Sequence, residues 1–230
     1  MLMRTAMHPS SPRHPGALRG RNGLPPGPDA AGNSLDLIGA PMPFARNAEI
    51  YGEDEPAEYL YKVISGAVRT YRVLHDGRRQ IGAFLLPGDM FGLEAGASHA
   101  SSAEAIADSV VLVIKRSAVV ALAERDPEVA RQMWTLTAQE LGRAQNHMLV
   151  LVRNAQERIA AFLLEMAERR PAADSVELPM SRQDIADYLG LTIETVSRTL
   201  TQLEAEAAIA LPTSRRVVLR NRSALNRLNA

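Results

Sequence analysis

Residues 181–203 read SRQDIADYLGLTIETVSRTLTQL. Two short helical patterns meet at Gly190: Ile185, Ala186 and Leu189 share one face of the first, and Val196, Leu200 and Leu203 share one face of the second. That spacing predicts a helix-turn-helix. The turn calls for a residue that accepts a tight or left-handed backbone, which Gly190 does without steric cost. Ala186 is small where the helices must cross closely. Ser181 with Asp184 makes a capping box at the first helix, and Thr192 is placed to cap the second.

The second helix also carries polar residues that a core would not require. Ile193, Glu194, Ser197 and Arg198 stand at i, i+1, i+4 and i+5 from its N-terminal end and project together. In a DNA-binding helix-turn-helix the first residues of the second helix enter the major groove. There an arginine can hold guanine with two hydrogen bonds, a glutamate can accept from a cytosine amino group, and a serine or an apolar side chain can meet thymine. The competing reading is a solvated helix face with one Glu and one Arg. Ser181, Arg182, Thr192 and Thr195 are the expected phosphate or positioning contacts.

Beyond this unit, Leu211-Pro-Thr-Ser-Arg-Arg-Val-Val-Leu reads as a small hairpin, a wing with Arg215 and Arg216 at its tip. Those two are placed for phosphates, which position a protein without specifying sequence. A short helix is expected to close the chain from Asn221. Upstream, Asn154 with Glu157 makes another capping box, so a helix breaks near Arg153 and a new one starts at Ala155. The break predicts a hinge. The preceding helix begins at Asp126-Pro127-Glu128, an N-cap, a proline at the first helical position and an acid at the positive end of the dipole. Along it Ala130, Trp134, Thr137, Leu141, Ala144, Met148 and Leu151 recur at alternating spacings of four and three, a heptad seam that predicts a parallel homodimer. Val129, Met133 and Leu136 form a second face able to pack on the rest of the chain.

Residues 34–125 show short apolar runs broken by turns. Tyr59 to Gly66 is a strand ending in a glycine turn, Ala67 to Leu74 is the returning strand, and Asp76-Gly77 marks a hairpin. Strands are also expected at Gln80 to Leu86 and Val110 to Ile114, giving an antiparallel roll or barrel. Residues 1–33 hold six prolines, five glycines and four arginines against one acid, which predicts a disordered arm.

The run SRQDIADYLGLTIETVSRTLTQLE resembles the DNA-binding segment of the Crp/Fnr family of bacterial transcription factors. Glu194, Ser197 and Arg198 match the Fnr-like pattern Glu-x-x-Ser-Arg, and Ile193 stands where the cAMP-receptor branch has arginine. The series VISGAVRTY, DGRRQIGAFLLPGDMFG and VVLVIKRSAVVAL is similar to the cyclic-nucleotide-binding β-roll of the same family. The resemblance covers about residues 35–225. It implies an α+β chain with four parts: a disordered arm, 1–33; a cyclic-nucleotide-binding-like β-roll, 34–125; a dimerisation helix, 126–153, with Trp134, Thr137, Leu141, Ala144, Met148 and Leu151 at the interface; and a winged helix-turn-helix, 154–230. It also implies a TTGAT-N4-ATCAA half-site pair, and RNA polymerase as a partner through residues 74–79 and 170–175.

In cAMP-binding relatives a Gly-Glu-Leu turn and a following Arg-Ser pair hold the nucleotide. Here Phe91-Gly92-Leu93-Glu94 and Ala100-Ser101-Ser102-Ala103 stand in those places, and the arginine is missing. An unpaired buried phosphate would cost several kcal/mol. No cAMP is therefore expected. The chain has no cysteine, which excludes disulfides, thiol switches and the iron-sulfur cluster of Fnr. Of the family's branches, the FixK type is similar in lacking that cluster, and it implies activation of low-oxygen or nitrogen-metabolism genes.

Net charge is zero over 230 residues, which argues against a generic nucleic-acid binder, yet seven arginines face five acids from Pro179 onward. No run reaches the length of a membrane span and no signal-peptide core is visible, so a soluble cytoplasmic protein is expected. His75, His99 and His147 have no metal-ligand spacing and are expected as surface or satisfied core residues. Neither paired carboxylates nor a nucleophile with its base suggest an enzyme, and no metal or cofactor is expected. Two alternatives stay open: a roll that senses an unidentified small molecule or haem, and a ligand-binding module whose helix-turn-helix contacts protein.

Overall fold

The computed structural model describes residues 35–169 and 175–229. The expected arm, residues 1–33, and residues 170–174 of the expected polymerase contact lie outside the described residues. Eight strands come first: β1 (Ala40–Phe44), β2 (Glu49–Tyr51), β3 (Tyr59–Ser65), β4 (Val68–Val73), β5 (Arg79–Leu85), β6 (Met90–Phe91), β7 (Ser102–Ala105) and β8 (Ser109–Lys115). They form two four-stranded antiparallel sheets, ordered β1-β8-β3-β6 and β2-β7-β4-β5.

Strand alternation distributes the apolar residues between separate cores. Tyr61 and Val63 of β3 and Val111 of β8 turn inward, where they meet Tyr51, Val68, Leu85, Phe91 and Ala103 from both sheets. Leu60 of β3 and Leu112 and Ile114 of β8 turn outward, into a cluster closed by Val119 and Val129. β8, SVVLVIK, is covered on both faces, which explains its unbroken apolar run.

The expected return of the chain after Gly66 is corrected. β3 pairs with β8 and β6, while β4 pairs with β5 and β7, so the chain crosses from one sheet to the other at Gly66. Its φ of 86° lies in the left-handed region, and a Cβ there would stand 2.5 Å from the Asp108 carbonyl oxygen. The hairpin at Asp76-Gly77 does join β4 to β5.

Helix α1 (Arg116–Ala123) follows β8 directly, and α2 (Pro127–Leu151) runs for 25 residues, about 38 Å at helical rise. Asp126 caps α2 by accepting from the Glu128 N–H at 3.0 Å. Val129, Met133 and Leu136 pack on the roll. Helix α2 ends at Leu151 and α3 (Ala155–Glu168) begins beyond a capping box whose two arms, Asn154 to Glu157 and back, are each 3.1 Å. Then come β9 (Ser175–Glu177), α4 (Arg182–Leu189), α5 (Ile193–Ala205), β10 (Ile209–Thr213), β11 (Arg216–Leu219) and α6 (Arg222–Asn229). β9 adds a third strand to the wing sheet, in the order β10-β11-β9.

Another apolar cluster joins the roll to α3 and α4: Ile81, Phe84, Leu86 and Ile106 pack with Ile159, Phe162 and Tyr188. The β4–β5 register makes this possible. Thr70 pairs with Ala83 but Tyr71 pairs with Ile81, so Gly82 is an extra residue on β5. Three positions apart in a regular strand, Ile81 and Phe84 would face opposite ways; the bulge turns both toward α3 and α4.

Candidate nucleic-acid interface

The support for α5 is built by local chemistry. Ser181 Oγ accepts from the Asp184 N–H at 3.1 Å, and the Ser181 N–H donates to Asp184 Oδ2 at 2.9 Å, completing the box that starts α4. Gly190 ends the helix at φ 62° and ψ 40°, a left-handed cap. The guanidinium of Arg158, on α3, donates to the carbonyls of Leu189 at 2.7 Å and Gly190 at 3.3 Å, putting a cation at the negative end of α4. Thr192 then starts α5, its Oγ1 accepting from the Thr195 N–H at 3.2 Å.

One face of α5 is sealed and the other is free. Val196, Leu200 and Leu203 are buried against Ile185, Ala186 and Leu189. Glu194 and Arg198 are exposed, Ile193 stands out with 37% of its surface accessible, and Ser197 is half-buried. Among the described residues neither Glu194 nor Arg198 has an ion-pair partner. Hydrogen bonds from its own backbone and from the Thr192 hydroxyl hold the Glu194 carboxyl below its usual range, so it stays charged at neutral pH. This end therefore offers a fixed anion, a free guanidinium, a hydroxyl and an apolar side chain within two turns.

The expected positioning residues are less uniform. Ser181 is occupied as a cap, since its hydroxyl also lies 2.8 Å from Asp184 Oδ2. Arg182 is half-buried, and its Nε has no partner among the described residues. Thr192 is exposed and Thr195 half-buried, with their hydroxyls 3.1 Å apart. In the wing, Arg215 lies in the turn and Arg216 opens β11; both are exposed, and both backbone N–H groups donate to Thr213 Oγ1, at 3.3 and 3.1 Å.

Three arginines that brace this unit carried no local signal. Besides Arg158, Arg69 on β4 donates to Asp184 Oδ1 at 2.6 Å and to Glu104 Oε1 at 2.9 Å. Arg79 on β5 donates to the same Asp184 oxygen at 2.7 Å and to Asp187 Oδ2 at 2.9 Å. The partners named here lie 31 to 115 positions away in sequence, beyond any motif window.

On α2, Trp134, Leu141 and Met148 are 77%, 60% and 62% exposed. Thr137 and Ala144 are also exposed, and Leu151 is half-buried. The stripe thus lies away from the Val129 face that packs on the roll.

Inside the roll, beside the Phe91–Glu94 turn, the rings of Tyr51, Tyr61, Phe91 and His99 pack together, with Tyr51 stacked on His99 at 3.6 Å. Burial raises both tyrosine hydroxyls, Tyr61 to about 12. A Cβ on Gly92 would lie 2.9 Å from the Tyr61 ring. Arg116 donates to the Gly92 carbonyl at 2.6 Å. His99 is buried but not satisfied, which corrects the expectation: neither ring nitrogen has a hydrogen-bond partner among the described residues, although Nδ1 lies 3.4 Å from Glu94 Oε2. No described helix is long and apolar enough to cross a membrane.

Comparison with known proteins matches residues 157–228 to the Crp-like helix-turn-helix domain and residues 41–126 to the cyclic nucleotide-binding domain. The nitrogen fixation regulation protein FixK of Azorhizobium caulinodans is 54% identical over 199 residues, covering 84% of this chain and 80% of that protein. FixK of Rhizobium meliloti is 46% identical, covering 78% and 82%. The solved structure of FixK2 from Bradyrhizobium japonicum aligns with a TM-score of 0.81 at 54% identity, over 84% of this chain and 98% of that one.

Proposed function

The chain belongs to the Crp/Fnr family of transcription regulators, in its FixK-type branch, and we propose that it binds a TTGAT-N4-ATCAA-like palindrome as a homodimer, without cAMP or any other effector. It is a DNA-binding regulator, not an enzyme. Each protomer lays the start of α5 in one major groove, with the two helices about one DNA turn, roughly 35 Å, apart. Glu194 and Arg198 read a G·C pair, Ser197 reads the neighbouring thymine, and Ile193 offers an apolar contact. Arg182, Thr192, Thr195, Arg215 and Arg216 face phosphates, while Ser181 acts through the cap it makes.

The observation that carries this reading is the row of exposed Ile193, Glu194 and Arg198 with half-buried Ser197, above a sealed helix face and without an ion pair among the described residues. The dimer rests on the exposed stripe of Trp134, Thr137, Leu141, Ala144 and Met148, continued by half-buried Leu151, which a second copy would cover. Effector independence rests on the rings that fill the roll beside the Phe91–Glu94 turn. The role we infer is the one the family resemblance implies, activation through RNA polymerase of low-oxygen or nitrogen-metabolism genes in the cytoplasm, and it is supported by relatives named nitrogen fixation regulation proteins.

The test is binding of the purified, additive-free protein to the TTGAT-N4-ATCAA duplex and to a scrambled one at two salt concentrations. Selective binding that weakens steeply with salt is expected. Equal, weak binding to both duplexes would reject the reading. One observation favours a ligand-dependent variant, in which the roll takes a small molecule or haem: buried His99 has no partner at either nitrogen among the described residues. That variant predicts selective binding only after an effector is added.

A further inference from the structure

The two halves of the chain meet through an apolar contact, through an ionic one at Asp184, and through Arg169 at the end of α3, which donates to the Phe84 carbonyl and pairs with Asp89. The first is apolar: Phe84 packs near Tyr188 and Phe162, with ring centroids 5.1 and 6.2 Å away. Such packing drives association but fixes direction weakly. The second is ionic. Asp184 has one oxygen turned to its own helix, Oδ2 accepting from Ser181, and the other turned to the roll, Oδ1 accepting from Arg69 and Arg79. Arg69 is 8% exposed and Asp184 4%, so this contact is desolvated. The Arg69 guanidinium bridges Glu104 on β7 to α4, and Arg79 reaches both Asp184 and Asp187, one turn apart on α4. Both guanidinium groups also lie within 6 Å of the Tyr71 ring, at 5.8 and 5.9 Å from its centroid. Planar, multidentate contacts of this kind define an orientation. Removing one partner of such a buried pair leaves an uncompensated charge.

We propose that Arg69 and Arg79 are positioning residues for DNA reading, clamping α4 to the roll through Asp184 and so fixing the angle at which α5 meets the groove. Because the Asp184 carboxylate also starts α4, the helix that supports the reading helix begins where the roll holds it. Arg79 and Asp187 line an open cleft of about 730 Å³ that Ile193 and Glu194 also line, so the clamp lies one cleft from the reading end. The inference rests on the DNA-binding reading above, and it adds a requirement: two half-sites a set distance apart can be engaged together only if both reading helices are held at one angle.

The experiment uses the full chain, whose lack of cysteine lets spin labels be placed singly at S65C and T201C, exposed positions on the roll and on α5. Labelled chain is diluted into an excess of unlabelled chain, so that only distances within one protomer are read. Two variants are compared with the parent: R79M, and R69M/R79M/D184N, which opens the clamp without leaving Asp184 as a buried lone carboxylate. The proposal predicts a broader or shifted distance distribution in both, and a loss of about tenfold or more in palindrome affinity, with circular dichroism unchanged. An unchanged distribution overturns it. So does a lower melting temperature with affinity unchanged well below melting, the mark of a structural role alone. If the parent chain itself fails to select the palindrome, the proposed function falls, while the distance measurement still decides the clamp.

Discussion

His147 of α2 lies flat on Tyr188 of α4, with ring centroids 4.0 Å apart and planes within 17° of parallel. Burial pushes the imidazole below its ordinary value of 6.5, the nearby Tyr188 backbone only partly opposing it, and Nε2 has no partner among the described residues. The neutral ring is therefore favoured in the fold. Its contribution is complete above the ordinary value and is lost as pH falls through the window below it. Glu140 and Glu165, which share the small cavity with His147, Arg143, Arg169 and Tyr188, are raised by burial and act oppositely, losing their contribution as pH rises above the usual carboxylate range. H147F keeps the stack and removes the titration. Thermal melts from about pH 7 to pH 5 should fall more steeply for the parent than for H147F. Parallel curves would rule out His147 as the source.

Arg198 has no ion pair among the described residues and stands on the exposed face of α5. R198A should leave stability within about 0.5 kcal/mol, cost about 1 to 3 kcal/mol at one base pair of each half-site, and relax preference there. Competition binding against half-site variants reads this. The same preference before and after the change would remove Arg198 from the reading role.

Trp134 is 77% exposed and Leu141 60%, so a charge at either leaves the protomer's own core intact. W134E/L141E is expected to sediment as a monomer and to bind the palindrome about 100-fold more weakly or worse, as the second half-site is lost. A variant that still sediments as a dimer would move the interface elsewhere.

Gly190 holds φ 62° with no backbone closer than ordinary contact to its missing Cβ. G190A should therefore cost about 1 to 2 kcal/mol through backbone strain alone, read by urea unfolding. A neutral result would mean that the turn has another conformation open to it.

Much of this architecture is legible locally. The capping boxes at Asn154 and Ser181, the cap at Asp126 and the left-handed Gly190 are each set by residues at most four apart, and each is made as its spacing predicts. What escaped was set at a distance. β1, APMPF, carries two prolines and is not among the predicted strands, but it is an edge strand against β8, where a missing N–H is tolerated. The sheet change at Gly66 depends on which strands later come to lie beside β3 and β4, which no window around residue 66 contains. Helix α1 is not among the predicted elements, because VVLVIKRSAVVAL changes period without a turn residue. The exposed face of α5 is visible in its own sequence, whereas the arginines that brace α4 sit on β4, β5 and α3 and are found only once the fold brings them together.

The bulge at Gly82 sets a boundary on how the chain can be cut and recombined. It turns Ile81 and Phe84 out of the roll, where with Leu86 and Ile106 they are covered by α3 and α4. A truncated chain ending at Arg153 would bare those four side chains to water and invite self-association. A chimera that grafts this reading head onto another roll would need the same four positions, and the extra residue that aims them, carried across with it.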